Sequence, residues 1–171
     1  LTALSRVINS KNSLPIFGDF LFEVSNNTLR LTTSDSENTM ITSLELAESD
    51  SDGRFAIGNH DLLEAVKGFS EQPITFEVDF EKNMAKITYQ NGLFSLPVES
   101  ADEFPAAQGV GMNASVITIS NALLAENITR SLFATAQDEL RPVMNGIYFD
   151  LTSECLAVVA SDGHKLVRNK I

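Results

Sequence analysis

The chain has 171 residues, 43% of them hydrophobic and 20% charged, which is ordinary globular material with length for one large core or two small ones. A net charge of −11 argues against a protein that coats nucleic acid by bulk charge, and two histidines with a single cysteine leave no metal cluster of ordinary spacing. Apolar runs such as residues 156–160 are far too short to cross a bilayer as a helix.

Leu1, Leu4, Val7 and Ile8 recur at helical spacing and predict a helix over 1–12, ended by the polar run 9–13. Pro15 opens an extended run in which Phe20, Phe22 and Val24 alternate with Leu21, Glu23 and Ser25. Asn26-Asn27 predicts a tight turn, because asparagine tolerates positive φ, and Leu29, Leu31 and Thr33 form the returning strand. A turn at Ser34-Asp35-Ser36 leads to a third strand with Met40, Thr42, Leu44 and Leu46. After an acidic, serine-rich loop at 48–54, Phe55 and Ile57 begin another strand. Asn59 is the expected N-cap of a helix over 61–69 bearing Leu62, Leu63, Val66 and Phe69. Strands follow at 74–80, 84–89 and 93–98, so a helix with three strands has now occurred twice.

The glycine-bearing stretch 108–114 predicts a linker. Beyond it, Ile117 and Ile119 predict a strand running into a helix over 120–136, striped by Leu124, Ile128 and Leu132, and three more strands complete the sequence. Short, frequent strands with separate helices predict the α+β class, with antiparallel sheets and the helices on one face. The organisation expected is a first domain over 1–107, the linker, and the first half of a second domain over 115–171.

That division rests on an internal repeat. Residues 15–40 and 142–167 align without a gap at an offset of 127, with identities at Pro15/Pro142, Phe22/Phe149, Leu29/Leu156, Ser34/Ser161 and Asp35/Asp162. Such long-period similarity signals one supersecondary unit used more than once.

Catalytic chemistry is thin. Ser161-Asp162-Gly163-His164 holds the side chains of a hydrolase, but adjacent residues on a turn do not make a triad. Asp162 has Asp35 as its counterpart whereas His164 faces Glu37, so the aspartates are expected to support their turns through Asx-type bonds. A hydrolase built on His164 and Asp162 remains a rival reading, as does a β-rich protein-interaction module without a DNA role. The helical segments carry Arg6, Lys11, Lys67 and Arg130 against Asp61, Glu64 and Glu126, which leaves the acidity to strands and loops. Those cations suit weak, salt-dependent contact with duplex backbone, and the helices lack aromatic side chains placed to stack on unpaired bases.

Several runs together resemble a known family. They are Ser13-Leu-Pro-Ile-Phe-Gly18, Leu31-Thr-Thr-Ser-Asp-Ser-Glu37, Phe94-Ser-Leu96, Ala101-Asp-Glu-Phe-Pro105, Met144-Asn-Gly146 and, most specifically, Val159-Ala-Ser-Asp-Gly-His-Lys-Leu166. In this order they resemble the β subunit of bacterial DNA polymerase III, the sliding clamp. The resemblance implies a DNA-clamp fold of three similar domains per subunit, two subunits closing into a ring around duplex DNA irrespective of sequence. It implies a non-enzymatic, cofactor-free processivity factor whose partners are the polymerase III catalytic subunit, the clamp loader and other clamp-motif peptides. A cytoplasmic location fits the lone Cys155 and the lack of a basic-then-apolar leader.

Carried over by position, Lys11 is the basic residue after the first helix that touches DNA, with Arg6, Lys67 and Arg130 added on charge and placement. Met144, Ser161, Gly163, His164, Lys165 and Leu166 match one wall of the partner-peptide pocket, with Arg141 at its rim. Ser161 stands where threonine is common and Met144 where leucine is common. Phe94 and Leu96 match the edge strand that pairs with the neighbouring subunit. Pro142-Val143 replace an aromatic pair that some members hold near DNA. The resemblance also implies a strand ahead of Leu1 and a remaining half of the second domain, so the chain as given is expected neither to encircle DNA nor to bind peptide well.

Overall fold

A computed structural model describes every residue except 9–13, 36, 106–110, 112–113 and 139. The chain forms two compact units, Leu1–Gly109 and Val110–Ile171. Unit 1 contains a four-stranded antiparallel sheet from β1 (Asp19–Ser25), β2 (Thr28–Ser34), β3 (Thr39–Glu45) and β4 (Gly53–Gly58), in the order β3-β2-β1-β4. Helix α1 (Asn59–Lys67) follows, then a sheet of β5 (Thr75–Asp79), β6 (Met84–Tyr89) and β7 (Gly92–Pro97) in sequential order. Unit 2 holds α2 (Asn121–Leu132) and a three-stranded sheet of β8 (Tyr148–Leu151), β9 (Leu156–Ser161) and β10 (Leu166–Lys170), with β9 central. Among the described residues, no helix is long and apolar enough to cross a membrane.

The first hairpin forms as its sequence dictates. Ser25 pairs with Thr28 across Asn26 and Asn27, whose φ values of 48° and 56° make the two-residue turn whose twist matches the strands. On one face of β1, Phe20 and Phe22 join Leu4, Leu31, Phe55, Ile57, Leu62, Leu63, Ala85, Ile87 and Val98 in the main core. Phe22 stacks on Phe55 at 4.9 Å between ring centroids. The opposite face is also covered at its start. There Leu21 and Ala56 meet Ile16, Ala101 and Phe104 in a second small core. Two of the distant sequence runs build this core. Pro15–Gly18 is a 3₁₀ turn that buries Ile16 and Phe17, and Ala101–Glu103 is a 3₁₀ turn capped by the Ser100 hydroxyl, which accepts the Asp102 N–H.

Four expectations change. The helix over 1–12 is, among described residues, a 3₁₀ turn over Leu4–Arg6 that still buries Leu4. Asn59 is the first residue of α1 and Gly58 holds the N-cap position, while the Asn59 amide donates to the Gly18 carbonyl. Ile117 and Ile119 lie in no strand, whereas Phe55 and Ile57 are held in β4 by the ladder with β1; among the described residues β8 pairs with β9 only. The α2 stripe is displaced as well. Leu132 is 53% exposed, and the helix buries Asn127 and Ser131. Those polar groups are satisfied: Asn127 donates to the Leu123 carbonyl at 2.9 Å, Ser131 to the Asn127 carbonyl at 2.8 Å, and Asn169 of β10 to the Ser131 hydroxyl at 3.1 Å.

Candidate functional site

The repeated turn is built the same way in both units. In unit 1, Asp35 Oδ1 accepts the N–H groups of Glu37 and Asn38 at 3.1 and 2.6 Å, and the Ser34 hydroxyl donates to the Asn38 carbonyl at 3.1 Å. In unit 2, Asp162 Oδ1 accepts the N–H groups of His164 and Lys165 at 2.9 and 2.7 Å, and the Ser161 hydroxyl donates to the Lys165 carbonyl at 2.8 Å. The residues kept in both copies are thus the ones that fold the turn. The Lys165 and His164 amides, helped by the Lys165 ammonium, hold the Asp162 carboxyl well below the usual carboxylate range. Burial alone would raise Asp35, but the bonds from Asn38 and Glu37 outweigh it and leave it lowered. Asp162 is therefore committed to backbone, not to orienting an imidazole, and the hydrolase reading loses its geometric basis.

Around the second turn the structure brings several of the predicted pocket residues together. Gly163 has a φ of +90°, and a Cβ there would lie 3.4 Å from Arg141 Nη1, so the glycine serves both the turn and the close approach of the guanidinium. Arg141 Nε donates to Asp138 Oδ2 at 2.8 Å, and this bond is the main reason the Asp138 carboxyl is lowered. Met144 lies in the 3₁₀ turn Pro142–Asn145, and its carbonyl accepts the Ala136 N–H at 2.8 Å. His164 and Leu166 are exposed, Leu166 at 71%.

Lys165 is placed differently from a free pocket cation. Its ammonium donates to the Phe133 carbonyl at 2.9 Å, lies 3.1 Å from Asp162 Oδ2 and sits 5.8 Å from the centre of the Phe133 ring. It ties the end of α2 to the turn. Asp138, Asn145 and Phe133 were not singled out as site residues, since their role depends on contacts between loops. A described hollow of unit 2, of about 460 Å³, is lined by Ile117, Leu123, Leu151 and Cys155 among others, none of them in the predicted pocket.

Of the predicted DNA contacts, Lys11 lies outside the described residues. Arg6 is exposed at the end of its 3₁₀ turn. Lys67 is paired with Glu64 at 2.7 Å and Arg130 with Glu126 at 2.6 Å, so each helical cation is partly neutralised by its own helix. Phe94 and Leu96 point into the main core of unit 1, packed against its buried residues. What β7 presents at the sheet edge is therefore its backbone, because the strand pairs on one side with β6 and ends the sheet order.

Asp19 is a further buried group. It is 7% exposed, its Oδ2 has no hydrogen-bond partner among the described residues, and burial, with the nearby Glu99 charge adding to it, pushes its carboxyl up to about 6.

Comparison with known proteins fits this architecture. Residues 1–108 match the family model of the DNA polymerase III beta subunit N-terminal domain, and residues 118–171 match that of its central domain. A Beta sliding clamp of Synechocystis sp. is 29% identical over 97% of this chain and 44% of its own length, and that of Escherichia coli (strain K12) is 26% identical over 97% and 45%. The Caulobacter crescentus pol III beta structure superposes with a TM-score of 0.89 at 24% identity, covering 99% of this chain and 47% of that one. A sliding clamp from Bartonella birtlesii, solved bound to griselimycin, gives 0.89 at 22% identity, with coverage of 99% and 46%. The chain spans somewhat less than half the length of these curated relatives. With both domain models matched in order, and with strands and turns where the clamp fold has them, the chain belongs to the DNA polymerase III beta subunit family.

Proposed function

We propose that this chain works as part of a sliding clamp, a non-enzymatic processivity factor that encircles duplex DNA as a homodimeric ring and tethers the replicative polymerase. Unit 1 serves as the first clamp domain and residues 115–171 as the first half of the second, with 108–114 between them. The observation that carries the reading is the ordered match to the N-terminal and central domains of the family. The ring holds DNA by topology, so its phosphate contacts can be few and weak. That suits a protein of net charge −11 whose helical cations Lys67 and Arg130 are already paired.

Lys11 and Arg6 are the leading DNA contacts, with Lys67 and Arg130 secondary. The wall formed by Met144, Ser161, Gly163, His164 and Leu166, with Arg141 at its rim and Lys165 bracing the turn, receives peptides of the polymerase, the clamp loader and other clamp-motif partners. The edge backbone of β7, held in place by Phe94 and Leu96, meets the neighbouring subunit. Such work belongs in the bacterial cytoplasm.

Loading onto DNA tests this. A clamp of the relatives' length carrying these two units, placed by a clamp loader on nicked circular DNA, is expected to stay bound through gel filtration and to be lost when the circle is linearised. Arg6→Ala and Lys11→Ala are expected to lower retention in a salt-dependent way. Equal retention on circular and linear DNA would overturn the reading.

A further inference from the structure

The pocket reading leaves Asn145, the middle residue of the Met144-Asn-Gly146 run, without a task. Its carboxamide grips the backbone of Asp138 at two points: Oδ1 accepts the Asp138 N–H at 2.8 Å, and Nδ2 donates to the Asp138 carbonyl at 3.2 Å. Asp138 in turn organises Arg141. Its Oδ1 accepts the N–H groups of Leu140 and Arg141 at 2.8 and 3.3 Å, while Oδ2 takes Arg141 Nε at 2.8 Å. With Nε engaged, the guanidinium brings Nη1 to 3.4 Å from where a Gly163 Cβ would stand.

A simpler reading is that Asn145 only shapes the 3₁₀ turn in which it sits. The internal repeat argues against that. The counterpart turn Pro15–Gly18 has the same form and length as Pro142–Asn145, yet Gly18 occupies the place of Asn145. A Cβ added at Gly18 would meet nothing within 4 Å, so space is not what keeps a side chain out. The turn forms without a carboxamide. In unit 1 the place of Arg141 is likewise taken by Leu14. The latch and the arginine it serves occur together in unit 2, and both are missing from the corresponding positions of unit 1.

We infer that Asn145 is a positioning residue of the partner pocket: by latching Asp138 it fixes Arg141 beside Gly163 as a preset donor for a carboxylate or carbonyl of a docked peptide. This rests on the reading of the second turn as that pocket. Preorganising a long cationic side chain removes part of the entropy cost of using it in binding.

The test is a double-mutant cycle on a clamp of the relatives' length carrying these two units, titrated with griselimycin and followed by ¹H–¹⁵N NMR. Asn145→Gly, which copies the residue found in unit 1, is expected to keep the β8–β10 resonances, to shift and broaden the Arg141 Nε–H signal, and to weaken griselimycin about fivefold. Arg141→Ala is expected to weaken it by a similar factor, and the double variant no further than Arg141→Ala alone. Unchanged affinity in either single variant overturns the inference. So does a double variant that loses both factors, since Asn145 would then act independently of Arg141. Loss of the β8–β10 fold in Asn145→Gly also overturns it, by returning Asn145 to the turn itself. All three leave the pocket standing, whereas a wild-type clamp of that length whose second turn ignores griselimycin removes the pocket and the inference together.

Discussion

The two copies of the repeated segment share a backbone and differ in what covers them. In unit 1, Ile16 and Leu21 are buried at 5% and 3% exposure beneath Ala101 and Phe104. Their counterparts Val143 and Tyr148 in unit 2 stand 86% and 66% exposed. Within these residues the repeat specifies strands and turns, and in unit 1 a segment far along the chain makes core of the outer face. The same substitution should accordingly have unequal effects in the two copies.

The largest difference is expected at the cover. Phe104→Ala should destabilise unit 1 by about 3–5 kcal/mol, as for a buried phenylalanine, whereas Tyr148→Ala should change unit 2 by less than about 1 kcal/mol. Urea unfolding followed by resonances from each unit would measure both, and equal losses would break the comparison.

A smaller asymmetry concerns pH. Asp19 has Gly146 as its counterpart, so only unit 1 carries this buried carboxyl. Its folded pKa of about 6 lies above the ordinary 3.8, so the folded form keeps a proton that the unfolded chain releases. The resulting stabilisation is complete below about pH 4 and is lost as pH rises through 6, a change of about 2–3 kcal/mol. Asp19→Asn should flatten that slope and raise the urea midpoint at neutral pH. An unchanged slope would mean that Asp19 is solvated.

The turns themselves should respond in the opposite sense. The carboxyls of Asp35 and Asp162 are lowered, so their support is present above the ordinary carboxylate pKa and is lost as pH falls through their folded values. Amide exchange at Asn38 and Lys165, corrected for its intrinsic pH dependence, should lose protection in strong acid, later for Lys165. At neutral pH, Asp162→Asn should speed Lys165 exchange severalfold and leave Asn38 unchanged.

Much of this was legible in the sequence because it is local. Asn26-Asn27, Ser34-Asp35 and Ser161-Asp162 carry turn chemistry within a few residues, and the structure forms each one through its own backbone. The second core was not legible, because nothing near Leu21 in the sequence indicates that Phe104, far along the chain, lies over it. Residues 1–12 showed helical spacing, but Leu4 alone of the described turn is buried, and a single anchored residue supports a 3₁₀ turn as well as a longer helix. On α2, apolar spacing pointed to Leu132, while a hydrogen bond from Asn169 favoured burying Ser131. For the candidate site, the family resemblance supplied the list of residues. The Asp138 grip on Arg141 and the Lys165 strut to Phe133 needed the fold.

The most direct test is to titrate a clamp of the relatives' length carrying these two units with griselimycin and to compare the amide resonances of the two turns. Shifts are expected at Gly163, His164, Lys165 and Leu166, with Asp35, Glu37 and Asn38 unmoved. Equal shifts at both turns, or shifts confined to unit 1, would contradict the claim that the second copy is the one opened for partners.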